Sequence, residues 1–470
     1  MFPTPRRRVP PATPHTNARH RAPRPPAIRR AALAGACLLA LAAVPPWAAA
    51  GDADAPLTLD RAIRLADEHD PWLDGSRERE RALAEEAVAA GELPDPRVDL
   101  TAANLPTDSF DLDQEPMTQL SIGVSQAFPR GDSREIASRR KRELAARQPL
   151  LRADRRAEAA AVVSRLWLEV YRTQRSIDLI EADRALFRHL VDAAEAKYAA
   201  ALAHTRQQDV IRAQLELSRL DERLAALAQQ RDAARGRLAE WIGGAAHAPL
   251  PETLPDLAPA APALVGADTP PSRQQWYERV REHPAVRAAD RDVAAARSDV
   301  DLARQKYKPE WGLSARYGYR EDDPAGRDRA DLFSVGLTFD LPIFTGDRQD
   351  REVAAAAHRA EASAADRELL VRRLVAGLEE ARAELARLDQ RRRLYERRLL
   401  PQLREQAEAA LAAYNNDDGD FAEAVRARID VLDTRIEALA IRVARLQTVA
   451  RLNYLLARAP AAGADEGSQP

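Results

Sequence analysis

Two hydrophobic periodicities run along the chain. Over most of its length, Ala and Leu recur at helical intervals among Arg and Glu, and residues 429–446 space their apolar side chains by alternating steps of three and four. That spacing is typical of a coiled-coil seam. Residues 333–341 behave differently, because apolar positions alternate there with Ser, Gly, Thr and Asp. A period of two predicts a β-strand with one apolar and one polar face, so the chain is predicted to be mainly α with a small β part.

The order of these patterns occurs twice. Three prolines of the first half recur in the second half with similar flanking residues: Pro71 with Pro284, Pro96 with Pro309, and Pro129 with Pro342, each 213 residues apart. A shared offset of this kind indicates an internal duplication. We therefore predict a first repeat over residues 51–243, a Pro-rich linker over 244–271, a second repeat over 272–457 and a disordered tail over 458–470.

Each repeat is predicted to contain the same elements. It begins with a helix of about 36 residues, for which Thr58 and Ser272 are the N-caps. Two strands follow, within 97–128 in the first repeat (97–104 and 119–128) and within 311–341 in the second (311–320 and 333–341). A long helix then begins near Asp132 or Asp347, and after one break a helix returns.

The helix lengths predict a tube rather than a globule. At about 1.5 Å per residue, the long helices over 132–200 and 347–414 each span roughly 100 Å. The opening and returning helices of about 36 residues span roughly 55 Å each, so two of them stacked end to end match one long helix. The breaks at 198–205 and 414–421 then lie farthest from the strands, and the linker lies at mid-height. The paired long and returning helices are coiled-coil hairpins, one in each repeat.

The predicted strands are too few to close a barrel by themselves. Four strands fall short of the roughly eight in the smallest membrane barrels, and an open sheet would expose its edges. Three copies would share a barrel of twelve strands, and about ten residues per strand suits a tilted crossing of an outer membrane. The predicted lipid-facing positions are Trp311, Leu313, Tyr317, Tyr319, Phe333, Val335, Leu337 and Phe339. The alternative is a small soluble sheet on a helical stalk.

Residues 1–50 have the features of a secretory signal peptide. They hold eight arginines and no acid, and their apolar run ends in small residues, which predicts cleavage after Ala50. A membrane anchor is the alternative, but the run is short and interrupted by prolines. Cys37, the single cysteine, lies inside the apolar run, where lipidation is not expected. The chain after Ala50 carries 63 basic and 73 acidic residues, a net charge of −10 that disfavours nucleic-acid binding.

The sequence carries none of the common catalytic or nucleotide-binding motifs. P-loop, dinucleotide-binding, H-E-x-x-H, C-x-x-C and G-x-S-x-G patterns are missing, and the histidines are scattered. We therefore expect no enzyme activity, no cofactor and no dedicated metal site. A periplasmic adaptor-type coiled-coil protein of an export system is the main alternative to a shared membrane barrel, because adaptors also carry a long helical hairpin. An adaptor would have one hairpin and no lipid-facing strands.

The ordered set of segments resembles the TolC-like outer-membrane efflux factors. Residues 57–71 resemble the family's entry helix, and the two proline-anchored hairpins resemble its duplicated strand pairs. Residues 197–224 and 414–432 resemble its tip turns and returning helices. Residues 197–224 most resemble the corresponding segment of family members from cobalt–zinc–cadmium-type metal efflux systems. The resemblance implies a homotrimer in the outer membrane of a Gram-negative bacterium, with a periplasmic α-barrel. It also implies a passive exit duct, served by a periplasmic adaptor and an inner-membrane pump, with divalent metal cations among the candidate substrates.

The two tip turns are predicted to form the periplasmic mouth and to dock the adaptor. The family's turn reads Tyr-x-x-Gly; here Tyr198 is followed by Ala201, and Tyr414 by the later Gly419. The second turn also carries acids, each of which a trimer would repeat as a ring of three: Asp417, Asp418, Asp420 and Glu423. Such rings favour cations, so these residues form a candidate acidic gate. Turn formation and helix capping are the alternative role, and a cap needs only one carboxylate.

Overall fold

The computed structural model describes residues 55–199, 207–266, 270–416 and 420–460, and it confirms a mainly helical chain with one small sheet. Up to residue 242 the elements are α1 (Leu59–Glu68), α2 (Pro71–Gly91), β1 (Arg97–Ala103), β2 (Gln119–Phe128), α3 (Ser133–Ala199) and α4 (Gln207–Ile242). After a 3₁₀ turn (Gly243–His247) come α5 (Pro262–Val265), α6 (Arg273–Val280), α7 (Pro284–Gln305), β3 (Trp311–Tyr319), β4 (Leu332–Phe339), α8 (Gln349–Leu394), α9 (Leu400–Asn415) and α10 (Phe421–Leu455). A π-helical turn, Tyr395–Leu399, joins α8 to α9.

The opening helices are shorter than predicted, because each breaks at a proline. Pro71 begins α2 and Pro284 begins α7. A proline lacks the N–H that would continue the preceding helix, and its ring clashes with that helix's last turn. The residue before each proline caps the new helix: Asp70 accepts a hydrogen bond from a backbone N–H at 3.0 Å, and His283 Nδ1 accepts one at 3.2 Å. The prediction of one continuous helix was therefore wrong in both repeats. The predicted N-caps, Thr58 and Ser272, are present.

The long helices match the lengths expected from the sequence. α3 contains 67 residues and spans roughly 100 Å. In the second repeat, α8, the π-helical turn and α9 follow one another as one helical path from Gln349 to Asn415. Pro401 lies in the first turn of α9, directly after the π-helical turn. Prolines and π-helical turns are the usual places where a long helix bends.

α3 is the central element of the structure. Its first half packs against α2 and α7 and its second half against α4 and α10, while α8 packs against α7 and α10. The core at the middle of α3 surrounds Trp167, which is fully buried and donates a hydrogen bond from Nε1 to the Leu57 carbonyl at 2.8 Å. Ion pairs flank these apolar seams, as where Arg152 contacts Glu80 at 2.6 Å. The helices are thus joined by apolar packing with charged margins.

The segment between α4 and α6 crosses the helices near the middle of α3. The backbone N–H of Leu57 donates to the Pro249 carbonyl at 2.8 Å, and the Tyr171 hydroxyl donates to the Glu252 carbonyl at 2.7 Å. Asn453, near the end of α10, binds the backbone of the same segment through its side-chain amide. These hydrogen bonds fasten the segment to helices of both repeats.

The four strands form one antiparallel sheet in the order β1-β2-β3-β4, so the two hairpins lie side by side. The pairing of β2 with β3 joins the repeats, with Leu120 opposite Tyr319 and Phe128 opposite Trp311. β1 and β4 are the two edges of the sheet. Among the helices in the described ranges, none is long and apolar enough to cross a membrane.

Candidate membrane face and conduction path

One face of the sheet is apolar, because the strand register aligns apolar residues in rows. One row contains Val98, Val124, Ala315 and Val335. The next row contains Leu100, Ile122, Tyr317 and Phe333. These side chains are exposed in the single chain, and Leu100 reaches 79% and Phe333 70% exposure. An apolar face of this extent indicates a surface covered by lipid or protein rather than by water.

The positions predicted to face lipid all lie on this face, and all are exposed. They are Trp311, Leu313, Tyr317, Tyr319, Phe333, Val335, Leu337 and Phe339. Trp311 and Phe339 pack at the helix-side end of the sheet with ring centroids 5.0 Å apart, while Tyr317 and Tyr319 lie at the other end. Aromatic residues at both ends of an apolar band are typical of membrane barrels. The predicted set leaves out the neighbours on β1 and β2, although apolar residues also alternate over 120–124.

The opposite face of the sheet is polar, and most of its side chains are small. Ser and Thr alternate there with Gly along β2, β3 and β4. A Cβ at Gly312 would lie 2.5 Å from the Thr338 hydroxyl, and one at Gly336 would lie 2.7 Å from the Ser314 hydroxyl. Polar side chains thus lie flat over glycines of the neighbouring strand. In a closed barrel, this face would line a water-filled interior.

Arg130 connects the sheet to the helices. Its guanidinium donates to the backbone carbonyls of Lys306 at 3.3 Å and Lys308 at 3.1 Å. The same guanidinium pairs with the carboxylates of Asp340, just after β4, and Glu310, just before β3. One side chain from the end of β2 therefore holds the ends of β3, β4 and α7 together.

The turn after Arg130 requires a glycine. Gly131 has a φ of +47°, in the left-handed region that favours glycine. A Cβ at this position would also overlap the side chains of Lys308 and Gln305. Asp132 completes the contact, because its carboxylate binds Lys308 Nζ at 2.9 Å. This tight turn brings the start of α3 against the end of α7.

An aromatic pair closes the turn between α9 and α10, at the end of the helices far from the sheet. Tyr414 is 7% exposed and packs edge-on against Phe421, with ring centroids 5.3 Å apart. Asp420 caps α10 by accepting a hydrogen bond from the backbone N–H of Ala422 at 3.1 Å. Glu423 lies exposed in the first turn of α10. Asp420 thus has the capping role that the sequence offered as an alternative, and its part in a gate stays a prediction.

The other predicted mouth residues lie outside the part of the chain that the structure describes. They are Ala201, Asp417, Asp418 and Gly419. Tyr198 belongs to the last turn of α3, but its side chain is also outside that description. The roles of these residues in docking and gating stay predictions.

A buried polar cluster joins three helices near the middle of α3. His283 is fully buried and neutral, because its Nε2–H donates to the Tyr454 carbonyl at 3.0 Å while its Nδ1 caps α7. Asp154 Oδ1 lies 3.9 Å from His283 Nδ1, and the Tyr454 hydroxyl donates to the Asp154 carboxylate. Burial, together with the nearby Glu158 carboxylate, raises the pKa of Asp154 to about 6, whereas burial lowers the pKa of His283.

Within the described residues, no group of three or more His, Cys, Asp or Glu side chains could hold a metal ion.

The second half of the chain matches a known family. Residues 277–458 match the family model described as outer membrane efflux protein. This part of the chain is therefore similar to the TolC-like outer-membrane efflux proteins. The match supports a place in the outer membrane, with an extension into the periplasm. The fold class predicted from the sequence is confirmed. The family match supports the predicted channel function over the alternative of a periplasmic adaptor-type coiled-coil protein.

Several solved structures share the fold of this chain. The outer-membrane channel OprN is 17% identical, with a TM-score of 0.68 over 85% of this chain and 90% of that one. CusC is 15% identical, with a TM-score of 0.69 over 86% and 93%. The outer membrane protein VceC from Vibrio cholerae is 16% identical, with a TM-score of 0.69 over 85% and 96%. No curated protein sequence matches the chain.

Proposed function

We propose that this efflux protein is the passive exit duct of a tripartite efflux system. A periplasmic adaptor and an inner-membrane pump would deliver the substrate and supply the energy. The observation that carries the proposal is the sheet, which has an exposed apolar face, a polar opposite face and two long helical columns at one end. A wall with these two faces can separate lipid from water, and the helices can extend the duct into the periplasm.

A homotrimer would close this wall. β1 and β4 are both edges in the single chain, and an edge that meets lipid leaves backbone N–H and C=O groups without partners. Pairing of β4 in one copy with β1 of the next would give a barrel of twelve strands with a water-filled lumen. The helices support the same closure, because α2 and α8 lie on opposite flanks of the row α2, α3, α7, α8.

The turns farthest from the sheet are proposed as the periplasmic mouth. Their position at the ends of α3 and α9 supports docking of the adaptor there, through Tyr198, Ala201, Tyr414 and Gly419. The same mouth would carry the acidic gate, formed by Asp417, Asp418, Asp420 and Glu423. Rings of three acids favour cations, which suits divalent metal cations as substrates.

Two substitutions on neighbouring residues of β4 test the membrane role. Val335 lies on the apolar face and Ser334 on the polar face of the same strand. Val335→Arg should abolish stable insertion into the outer membrane, because Arg facing lipid near the bilayer midplane costs about 2–4 kcal/mol in each copy. Ser334→Arg should still insert, since its side chain faces water.

Light scattering of the detergent-extracted protein, corrected for bound detergent, should give the mass of three copies. In planar lipid bilayers the wild type and Ser334→Arg should both conduct ions. A stable monomer recovered from the soluble periplasmic fraction would overturn the proposal. Equal insertion of Val335→Arg and Ser334→Arg would also overturn the assignment of the two faces.

A further inference from the structure

We propose that Asp99 and Arg316 form a charge-balanced pair on the inner wall of the barrel, and that this balance keeps the barrel from selecting ions by charge. The inference rests on the channel function proposed above. The pair lies in the membrane part of the duct and not at the mouth. Its two residues determine whether the barrel distinguishes cations from anions.

The register brings the two residues into one row of the polar face. Asp99 on β1 is opposite Gly123 on β2, Gly123 is opposite Arg316 on β3, and Arg316 is opposite Ser334 on β4. Asp99 and Arg316 therefore lie on strands that are not neighbours. Their side chains nevertheless meet, with Arg316 Nη2 2.8 Å from Asp99 Oδ2.

Gly123 makes this contact possible. A Cβ at position 123 would lie 2.5 Å from Asp99 Oδ1 and 2.8 Å from Asp99 Oδ2. Any side chain on β2 at this position would therefore displace the carboxylate from the space it uses to reach Arg316. The row thus combines an acid, a glycine and a base in the one order that lets the two charges pair across the middle strand.

The pair is isolated from other charges along the strands. On the polar face, the remaining strand positions are Gly, Ser, Thr, Ala, Gln and a single Leu, apart from Arg97 at the helix-side end of β1. Both partners are about half exposed, with side-chain exposures of 50% for Arg316 and 43% for Asp99. An exposed pair of this kind adds little to stability. The pair therefore acts mainly through its electrostatic interaction with ions that pass through the lumen.

A trimer would place three such pairs at one level of the lumen, each without net charge. Loss of one partner would instead leave three like charges about 10 Å from the barrel axis. Coulomb's law in water, with a Debye length of about 10 Å at 0.1 M salt, then predicts a roughly fourfold change in the ratio of cation to anion permeability. The change should grow as salt is lowered, because screening weakens.

Single-channel recordings in planar bilayers under a KCl gradient test the pair. Asp99→Asn leaves Arg316 alone and should shift the reversal potential toward anion selectivity. Arg316→Gln leaves Asp99 alone and should shift it toward cation selectivity. The double variant should return to the wild-type value, and so should the exchange of Asp99→Arg with Arg316→Asp. Ser334→Asn, a neutral change in the same row, is the matched control and should shift nothing.

The outcomes separate the pair from the channel itself. Unchanged reversal potentials in both single variants, with normal conductance and trimer mass, would overturn the role of the pair and leave the channel function standing. Shifts of the same sign in both single variants would overturn it too. A correctly assembled wild type that does not conduct would overturn the channel function, and the role of the pair with it.

Discussion

Asp154→Asn should make the free energy of unfolding of the protein respond less to pH. Burial and the Glu158 carboxylate raise the pKa of Asp154 from its ordinary value of 3.8 to about 6, so the folded state binds the proton more tightly than the unfolded state. The resulting stabilisation is fully present below about pH 3.8 and is lost as the pH rises through about 6. The difference between the two pKa values corresponds to about 3 kcal/mol in all, of which about 1.4 kcal/mol falls between pH 5 and pH 7.5.

Asparagine suits this test, because it keeps an oxygen that can accept the hydrogen bond from Tyr454 but cannot ionise. The titratable and charged groups that act on Asp154 and on the adjoining His283 are Glu158, Tyr454 and Arg279. Unfolding of the detergent-solubilised protein, followed by circular dichroism at pH 5 and pH 7.5, gives the pH response of each variant.

Between pH 5 and pH 7.5, the free energy of unfolding of the wild type should fall by about 1.4 kcal/mol more than that of Asp154→Asn. The variant should therefore be the more stable of the two at pH 7.5 and close to the wild type at low pH. Asp299→Asn, which removes a carboxylate paired with Arg140 between α7 and α3, serves as the control and should keep the wild-type response. If Asp154→Asn and the wild type respond equally to pH, the buried carboxylate does not titrate as the structure indicates.

Three further changes test other parts of the molecule. Arg130→Ala should weaken the sheet–helix junction, because the Lys306 and Lys308 carbonyls lose their donor and Asp340 and Glu310 lose their charged partner. The proposed trimer should then dissociate at a lower temperature. Arg327→Ala breaks a pair within one loop and should leave that temperature unchanged. Tyr414→Ala should destabilise the α9–α10 turn by about 3 kcal/mol and speed proteolysis of that turn. Tyr414→Phe keeps the ring contact with Phe421 and should be cleaved as slowly as the wild type. Equal cleavage of the two variants would contradict the packing argument. A variant that combines Asp417→Asn, Asp418→Asn, Asp420→Ser and Glu423→Gln removes the acids of the proposed mouth, and the serine side chain it introduces can still cap α10. This variant should show lower cation selectivity. Unchanged reversal potentials in an intact trimer would mean that other residues determine the selectivity.

The strands were predictable because alternation along a strand is a local property. Apolar residues at 333, 335, 337 and 339 determine which side chains share a face, whatever the rest of the chain does. The shared proline offset then extended the same interpretation to the first hairpin. The strand bounds in the structure consequently lie within two residues of the predicted ones.

Contacts between residues far apart in the chain could not be predicted from the sequence. Asp99 and Arg316 are 217 residues apart, and they meet only because β2 pairs with β3 in one particular register. Asp154 and His283 likewise belong to different repeats and approach each other through the packing of α3 against α7. Periodicity shows which side chains share a face, but it does not show which residue of another element lies opposite.

The prolines show a different limit. Pro149 lies inside α3, which continues through it, whereas Pro71 and Pro284 begin new helices. A proline is compatible with a bent helix or with the first turn of a new one. The choice depends on whether packing on both sides holds the helix axis in line, and the packing partners of α3 are not visible in the local sequence. The continuous opening helices were predicted wrongly for this reason.

The π-helical turn has a mechanical consequence for the proposed periplasmic mouth. Beyond Pro149, α3 continues toward the far turn without a further proline or π-helical turn, whereas the column formed by α8 and α9 is divided at Tyr395–Leu399. Beyond that point α9 has 16 residues, or about 24 Å, and its main packing partner is α10. A sideways force at the mouth would therefore bend the second column about 24 Å from its tip and leave the first column straight. In the proposed trimer, each copy would therefore contribute one straight helical column and one hinged column to the mouth. The three hinged columns could tilt outward without straining the sheet.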